Sequence, residues 1–345
     1  MHLYTDALLK EICHTAPIAS GYTVDTVFFG GGTPSLLPSE ELFRIMSCLQ
    51  RHFTIESDAE ITLEANPATV DASALRGLRS LGFNRISIGV QSLQDDELKA
   101  LGRLHTAADA IRISEDAREA GFANINLDLM YGIPYQTPSS FSKTIDGVLA
   151  LSPEHISAYS LIVEEGTPFY QMRDTLPLPS EDAEETLHNL LLTRLSENGY
   201  LHYEISNYAK AGYESRHNLH YWRSEPYLGF GAAAHSFFNG VRYGNTAALT
   251  LYEQAPLHAV SEKQRLTEKE QAYERLMLGL RLSEGIDLAA YKTRFGVSLK
   301  EKHEALITRF ENMGLLRIGQ GRIRLTEKGM RLSNSILVAF LEEDS

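Results

Sequence analysis

The amino-acid sequence predicts an α/β fold in its first half and a smaller helical domain at its C-terminus. From about residue 25 to 163, strand-like and helix-like segments alternate along the chain. Repeated βα units of this length predict a parallel sheet with helices outside it, built either as an open doubly wound sheet or as a (β/α) barrel. A chain of 345 residues, 43% of them hydrophobic, is long enough for two domains.

Five short segments rich in Ile, Val, Leu or aromatic residues are the predicted strands. They are DTVFF (25–29), AEITLEA (59–65), RISIGVQ (85–91), INLDLMY (125–131) and ISAYSLIV (156–163). Helical patterns lie between the first four strands, at 39–53, 71–83 and 106–122. Ser39 is a candidate N-cap of the first helix, and a glycine near the C-terminus closes each of the other two.

The second half of the chain has a different pattern. A strongly amphipathic helix is predicted at 180–200, and an aromatic, glycine-rich stretch follows at 201–250. Thr267 and Glu270 have the spacing of a capping box. The tail contains a predicted helix, hairpin and final helix, at 297–313, 314–326 and 328–342, and this order resembles a winged helix.

We therefore divide the chain into four segments. They are a partial barrel at 1–175, its completion with the aromatic region at 176–252, a linker at 253–265, and a helical, winged-helix-like domain at 266–345. Winged helices often bind DNA, but this chain carries a net charge of -13. We therefore interpret the last segment as a packing or lid domain.

Composition excludes several classes of function. The net charge of -13 and the lack of basic runs argue against nucleic-acid binding, because affinity for phosphates comes from clustered Lys and Arg. No apolar run approaches 18 residues, which argues against a transmembrane helix, and the first residues lack the features of a signal peptide. Two cysteines, Cys13 and Cys48, are too few for a disulfide scaffold and suit the cytoplasm.

Polar or glycine residues stand at the carboxyl ends of all five predicted strands, which is where parallel α/β folds bind ligands. In strand order they are 30–33; Glu64, Asn66 and Pro67; Gln91 and Ser92; Asp128 and 131–134; and 164–168. Because these ends converge at one edge of a parallel sheet, the sequence predicts a site there for a polar small molecule.

The stretch VFFGGGTPS (27–35) leads from a strand directly into three glycines. The phosphate-loop pattern needs a Lys that is absent, and the dinucleotide pattern GxGxxG has Ser35 in its third glycine position. One explanation is a tight turn that requires a positive φ. The other is a backbone surface that contacts a ligand directly, such as the ammonium and carboxylate of an amino acid.

The motifs FFGGGTPSLL, EANP, SIGVQS, LGRLHT, NLDLMYGIPYQT and YSLIVEEGTP occur in this order along the chain. Together they resemble the radical S-adenosylmethionine proteins of the oxygen-independent coproporphyrinogen III oxidase family. HNLHYW (217–222) resembles the signature of the HemW-type heme chaperones in that family, which the oxidases proper lack. The likeness implies an incomplete (β/α)6 radical-SAM partial barrel, lacking its first strand, with a C-terminal helical, winged-helix-like domain.

The resemblance also implies which residues line a site for S-adenosylmethionine. They are Gly31, Gly32, Thr33, Glu64, Gln91, Arg103 and Asp128. Arg103 can pair with the cofactor carboxylate, Asp128 or Gln91 can accept from ribose hydroxyls, and Glu64 can meet the ammonium. Taken singly, an exposed Arg at a helix end and a hydrogen-bonded Asp on a strand are the simpler interpretations of Arg103 and Asp128.

Radical chemistry in this family needs a [4Fe–4S] cluster held by three cysteines spaced CxxxCxxC, and this sequence contains no such motif. Cys13 and Cys48 lie 35 residues apart, so neither has a partner at that spacing. The chain is either an N-terminally truncated form of a longer protein or a natural relative without a cluster. We favour truncation, because the loss of a first strand leaves an unpaired edge beside 25–29. The chain as given is expected to produce no 5′-deoxyadenosine.

The resemblance to heme chaperones implies that the chain binds heme and delivers it to acceptor proteins. His217 is the first candidate ligand, and Tyr221 and His235 follow. The simpler interpretation of HNLHYW is an aromatic turn that packs onto the barrel. Two other functions stay open: coproporphyrinogen III oxidation by a full-length form, which would be an enzyme, and a clusterless, non-catalytic binding module.

Overall fold

The computed structural model describes residues 1–344, which contain sixteen α-helices and thirteen β-strands. The helices are α1 (His2–Thr15), α2 (Ser39–His52), α3 (Ala72–Ser80), α4 (Asp95–Ala100), α5 (Ala107–Glu119), α6 (Pro138–Ala150), α7 (Pro168–Met172), α8 (Glu181–Glu197), α9 (Arg216–Trp222), α10 (Leu249–Gln254), α11 (Glu268–Gly279), α12 (Leu288–Phe295), α13 (Leu299–Lys302), α14 (Glu304–Asn312), α15 (Glu327–Arg331) and α16 (Ser333–Asp344).

The strands are distributed over three sheets. They are β1 (Thr23–Phe29), β2 (Thr54–Ala65), β3 (Arg85–Gln91), β4 (Asn124–Tyr131), β5 (His155–Ser160), β6 (Leu201–Glu204), β7 (Asn207–Ala209), β8 (His235–Phe238), β9 (Val241–Asn245), β10 (Val260–Arg265), β11 (Ile286–Asp287), β12 (Leu316–Gly319) and β13 (Arg322–Leu325). The largest sheet has the order β1-β2-β3-β4-β5-β7-β6, and the smaller sheets have the orders β10-β9-β8 and β11-β13-β12.

The chain forms two compact units, which are described separately. One comprises Tyr22–His202 and Ser206–Glu214, and it is called the barrel unit here. The other comprises Met1–Gly21, Tyr203–Ile205 and Ser215–Ser345, and it is called the C-terminal unit. These two units are defined by contacts and do not test the four segments that the sequence suggested. The four segments therefore remain a proposal.

The barrel unit contains five consecutive parallel strands, and β7 then pairs antiparallel to β5. Helix starts follow local sequence chemistry: Asp71 caps α3, and Thr106 and Thr137 form capping boxes at α5 and α6. The helix expected at 39–53 has Pro38 rather than Ser39 as its N-cap. Strand β5 ends at Ser160, three residues before the expected end of the fifth strand.

The two faces of the parallel sheet differ sharply in polarity. One face is apolar and buried, as expected for a sheet covered by helices. Its central side chains are Ile86, Ile88, Ile125, Leu127, Leu129 and Ile156. The side chains that alternate with them are polar: Arg85 and Ser87 on β3, Asn126 and Asp128 on β4, and His155 and Ser157 on β5. The polar face carries the residues of the first candidate site.

The C-terminal unit contains α1 and all elements from α9 onward. Buried Leu, Ile and Phe side chains of α11–α16 and the β12–β13 hairpin form its main core. The predicted helix at 297–313 is divided into α13 and α14, and the final helix into α15 and α16. The stretch 253–265, expected as a linker, ends in β10, an exposed polar strand that pairs with β9 through its backbone.

None of the helices in residues 1–344 combines the length and the apolar character needed to cross a membrane.

Candidate functional site

Two of the three glycines after β1, Gly31 and Gly32, leave open space beside the backbone. Gly31 has a φ of 98°, which favours glycine, and a Cβ built on Gly31 or on Gly32 would have no heavy atom within 4 Å. A Cβ on Gly30, in contrast, would lie 2.5 Å from the Phe28 ring and 2.9 Å from the carboxyl carbon of Glu64. The turn therefore has two physical causes: a positive φ at Gly31, and the close approach of two neighbouring side chains at Gly30.

Glu64 connects this glycine turn to the second strand. Its Oε2 accepts a hydrogen bond of 3.1 Å from the backbone N–H of Gly31. Burial raises the pKa of Glu64 most, the hydrogen bond from Gly31 lowers it, and the negative charge of Asp128 raises it further. A half-buried carboxylate that lies next to open space is suited to a cationic group of a ligand.

Asp128 is the centre of a hydrogen-bond network on the polar face of the sheet. Asn126 Nδ2 donates to its Oδ1 at 2.7 Å, and the Ser87 hydroxyl lies 3.3 and 3.2 Å from its two oxygens. Burial raises the pKa of Asp128, and hydrogen bonds from Asn126, Ser157 and Ser87 and the charge of Arg85 oppose this. Most of the hydrogen-bonding capacity of this carboxylate is therefore used within the protein.

His155 stands behind this network and is fully buried. Asn126 Nδ2 points at an acceptor, the Asp128 carboxylate, so Asn126 Oδ1 faces His155 Nδ1 at 2.6 Å. His155 Nδ1 must then carry the ring proton and donate a hydrogen bond to Asn126 Oδ1. Burial lowers the pKa of His155 well below its ordinary value, and the charge of Arg85 lowers it further, so the ring is neutral.

Arg103 and Gln91 complete the candidate residues of the barrel unit. Arg103 Nη1 lies 3.4 Å from Asn66 Oδ1, and burial lowers its pKa while the charge of Asp128 partly offsets this. Gln91 adopts a left-handed φ of 67°, which is uncommon for a residue with a side chain and costs about 1–3 kcal/mol. Such strain persists only where the surroundings enforce it, and it is concentrated at functional sites.

In the C-terminal unit, α9 brings two of the predicted heme candidates together. His217 Nε2 lies 2.8 Å from the Tyr221 hydroxyl one turn later, and their rings are in edge contact with centroids 5.0 Å apart. Tyr227 packs against the other side of Tyr221 at 4.6 Å. Burial, and then the neighbouring Tyr227, raise the pKa of Tyr221 to about 12, so its phenol is neutral at physiological pH.

His235 lies apart from this pair, at the start of β8. Its Nδ1 is 3.3 Å from Glu262 Oε1 on β10. Its side chain is 56% exposed. A Cβ on Gly229 would lie 2.1 Å from the His235 carbonyl oxygen, and one on Gly244 would lie 2.9 Å from the His235 ring. These glycines make room for His235 itself.

The sequence analysis missed Ser87, Asn126, His155 and Ser157, because it considered only the ends of the strands. The signal was present in the pattern: polar residues alternate with Ile, Leu or Val along β3, β4 and β5. A parallel sheet that is buried on both apolar faces gives nearly continuous hydrophobic runs instead. The alternation therefore indicates a sheet with one polar, ligand-facing side.

Comparison with known proteins supports both the fold and the family. Residues 3–148 match the model of the Radical SAM superfamily, and residues 266–332 match that of the HemN C-terminal domain. Heme chaperone HemW of Bacillus subtilis is 37% identical over 350 residues, covering 99% of this chain and 91% of that protein. Heme chaperone HemW of Lactococcus lactis is 36% identical, covering 92% and 85%.

The solved structure of coproporphyrinogen III oxidase (HemN) from Escherichia coli, titled a radical SAM enzyme, also resembles this chain. It is 25% identical, with a TM-score of 0.84 over 98% of this chain and 82% of that protein. This likeness confirms the predicted fold class, a partial (β/α) barrel followed by a C-terminal domain.

The neutral state of His155 predicts a pH dependence of stability. Below pH ~6.5 the unfolded chain binds a proton at this histidine that the folded chain does not, so the free energy of unfolding falls as the pH decreases, by up to ~1.4 kcal/mol per unit. Urea unfolding between pH 7.5 and 5 should show a shallower dependence for His155→Asn than for the parent. The exposed His258→Asn should retain the parental dependence.

An independent measurement on the parent protein avoids any folding defect of the variant. Nitrogen-15 NMR of the histidine rings should find His155 with its proton on Nδ1 and without a charge at pH 6. A charged His155, or one protonated on Nε2 alone, would contradict the network.

Proposed function

The chain belongs to the HemW family of heme chaperones, and on this basis we propose that it binds heme and delivers it to heme-accepting proteins, with S-adenosylmethionine bound on its barrel unit. The observation that carries the proposal is the His217–Tyr221 pair on α9, within HNLHYW. A histidine and a tyrosine, two residue types that can ligate heme iron, stand one helical turn apart, with aromatic rings beside them.

The residues of the barrel unit fit S-adenosylmethionine. The open space beside Gly31 and Gly32 leaves room for the methionyl end of the cofactor. Glu64 can accept from its ammonium, and Arg103 can pair with its carboxylate. Between the two candidates for the ribose hydroxyls, we favour Gln91, because Asp128 already accepts hydrogen bonds from Ser87, Asn126 and Ser157. Asp128 then acts mainly through its charge and by holding the polar face in place.

The residues do not fit a [4Fe–4S] cluster held by three cysteines. The sequence has two cysteines, Cys13 and Cys48, and a cluster of this kind needs three thiolates from the protein. We therefore derive no electron-transfer or radical step for this chain. Its own residues bind and orient the cofactor through Gly31, Glu64 and Arg103.

For heme, His217 is the better iron ligand of the pair. Tyrosine ligates iron as a phenolate, and the raised pKa of Tyr221 makes that form costly. A histidine ligates as the neutral ring, which requires no such deprotonation. Tyr221 would orient the imidazole of His217 through the hydrogen bond between them. His235 ranks third, because its Nδ1 lies 3.3 Å from the carboxylate of Glu262.

The place of action that we propose is the cytoplasm. Two cysteines in 345 residues match the low disulfide content of proteins in a reducing compartment. The acceptor proteins would be identified by heme transfer from the loaded chain to an apo-protein, followed by absorbance.

Glu64→Gln should weaken binding of S-adenosylmethionine about tenfold, because a hydrogen bond to a charged group contributes about 1.5–3 kcal/mol. Isothermal titration calorimetry with the cofactor measures the change. Asp58→Asn, which alters an exposed carboxylate earlier on β2, should leave the affinity at the parental value. Equal affinities for the parent and Glu64→Gln would remove Glu64 from the site.

His217→Ala should lower heme affinity at least about tenfold and abolish the spectrum of a histidine-ligated heme. Tyr221→Phe should keep that spectrum and weaken binding only about two- to tenfold, because it removes one hydrogen bond. Titration with hemin, followed by absorbance, tests both, and His235→Ala should match the parent. An unaltered histidine-type spectrum in His217→Ala would contradict the assignment.

A further inference from the structure

Three arginines gather around Trp222, the last residue of α9. Arg275 on α11 donates from Nη1 to the Trp222 carbonyl oxygen at 3.1 Å, where a helix terminus favours positive charge. The Arg281 guanidinium lies 5.8 Å from the centroid of the Trp222 ring. Arg223 follows directly in the sequence. The C-terminal end of the HNLHYW helix is thus surrounded by guanidinium groups.

A fourth arginine adds to this positive charge. Arg294 on α12 lies over the ring of Phe295, with its guanidinium 5.0 Å from the ring centroid. Burial lowers the pKa of Arg275 most, and the charges of Arg294 and Arg223 lower it further, while Glu284 and Glu225 oppose the effect. Arg294 and Arg223 are therefore close enough to repel Arg275.

The nearby carboxylates are engaged by other groups. Glu284 pairs with Arg223 at 3.1 Å and with Arg322 at 3.6 Å. Arg322 also lies 3.8 Å from Asp287, and Glu225 pairs with His220.

Three of the arginines are left without a carboxylate partner. Within residues 1–344, Arg275, Arg281 and Arg294 make no ion pair within 4.0 Å. Surface charge in this protein is otherwise predominantly negative, since the net charge is -13. Clustered guanidinium groups without carboxylates are suited to binding carboxylates of a ligand, often with two hydrogen bonds each.

We propose that Arg275, Arg281 and Arg294 form a binding site for the propionate carboxylates of heme. The inference rests on the proposed heme function. It concerns the propionate groups of heme, which the iron-binding pair His217 and Tyr221 would not contact. His217 and Trp222 are separated by about 7.5 Å along the helix axis at 1.5 Å per residue. A porphyrin whose iron is ligated by His217 would carry its carboxylates on its edge, and in the proposed orientation that edge would face the arginines at the end of α9.

A cluster of arginines can also bind nucleic acid, but the charge of this chain argues against that ligand. The proposed site offers three guanidinium groups, and the whole chain is acidic, with a net charge of -13. Affinity for a phosphate backbone requires an extended array of cations instead.

The test compares heme with its dimethyl ester, which has the same iron and ring but no carboxylate charge. The parent protein should bind heme about tenfold more tightly than the ester, and this preference should decrease between 50 and 500 mM NaCl because salt screens partly exposed charges. Arg281→Met/Arg294→Met should lose most of this preference, because only Arg275 of the three arginines remains. Arg275 is left intact, because it also supports the end of α9.

Arg309→Met is the matched control. Arg309 lies on α14 with its guanidinium 5.8 Å from the Phe310 ring, so the same charge and a similar stacking contact are removed elsewhere in the unit. It should keep the parental preference for heme. Circular dichroism and thermal unfolding of each variant establish that the fold is intact.

The outcomes separate this inference from the proposed function. A parent that binds heme and the ester equally, or a double variant that keeps the parental preference, would overturn the carboxylate site and leave heme binding in place. A parent that binds neither porphyrin would overturn the proposed function, and the carboxylate site with it.

Discussion

The hydrogen-bond network around the half-buried Asp128, on the polar face of the sheet, is the constraint on which the rest of the barrel unit depends. A carboxylate that loses water on folding is costly unless hydrogen bonds replace that water. Its donors come from three strands: Ser87 on β3, Asn126 on β4 and Ser157 on β5. They meet only because Ser87 aligns with Asn126 and Asp128 aligns with Ser157. A slip of one residue would turn every one of these side chains to the apolar face.

The charge of Asp128 also sets the electrostatics of the residues that would meet a ligand. It raises the pKa of Glu64, and it partly offsets the effect of burial on Arg103. The carboxylates of Glu64 and Asp128 and the guanidinium groups of Arg85 and Arg103 therefore influence one another electrostatically on the same face of the sheet. Such a mixture suits a zwitterionic ligand with an additional positive charge, which is the character of S-adenosylmethionine. A simple anion would be repelled by the carboxylates, and a simple cation by the arginines.

The sequence predicted those features of the fold that periodicity and capping encode. The β3 strand at 85–91 and the capping box of Thr267 and Glu270 agree with the structure to the residue. Strand β10 was missed because its six residues are all exposed and five of them are polar, so backbone pairing with β9 defines it. The breaks near His303 and Leu332 were missed because the apolar pattern continues through them. For the site, motifs indicated Gly31 and Glu64, whereas the role of His155 depends on a contact with Asn126 that joins residues 29 positions apart.

The raised pKa of Tyr221 bears directly on what a heme carrier must do. A carrier has to bind heme tightly enough to load and weakly enough to release it. A phenolate ligand would carry a negative charge that iron holds strongly, but burial beside Tyr227 disfavours that form of Tyr221. In the proposed complex the imidazole of His217 would be the iron ligand, and Tyr221 would restrict its orientation through one hydrogen bond of 2.8 Å. If the arginines near Trp222 bind the heme carboxylates, the affinity for heme comes from two separate contacts: the bond between His217 and the iron, and charge pairs that salt screens. The iron bond and the charge pairs can be broken one at a time. An acceptor protein that competes for one of these contacts would therefore leave the heme bound only through the other, and so more weakly.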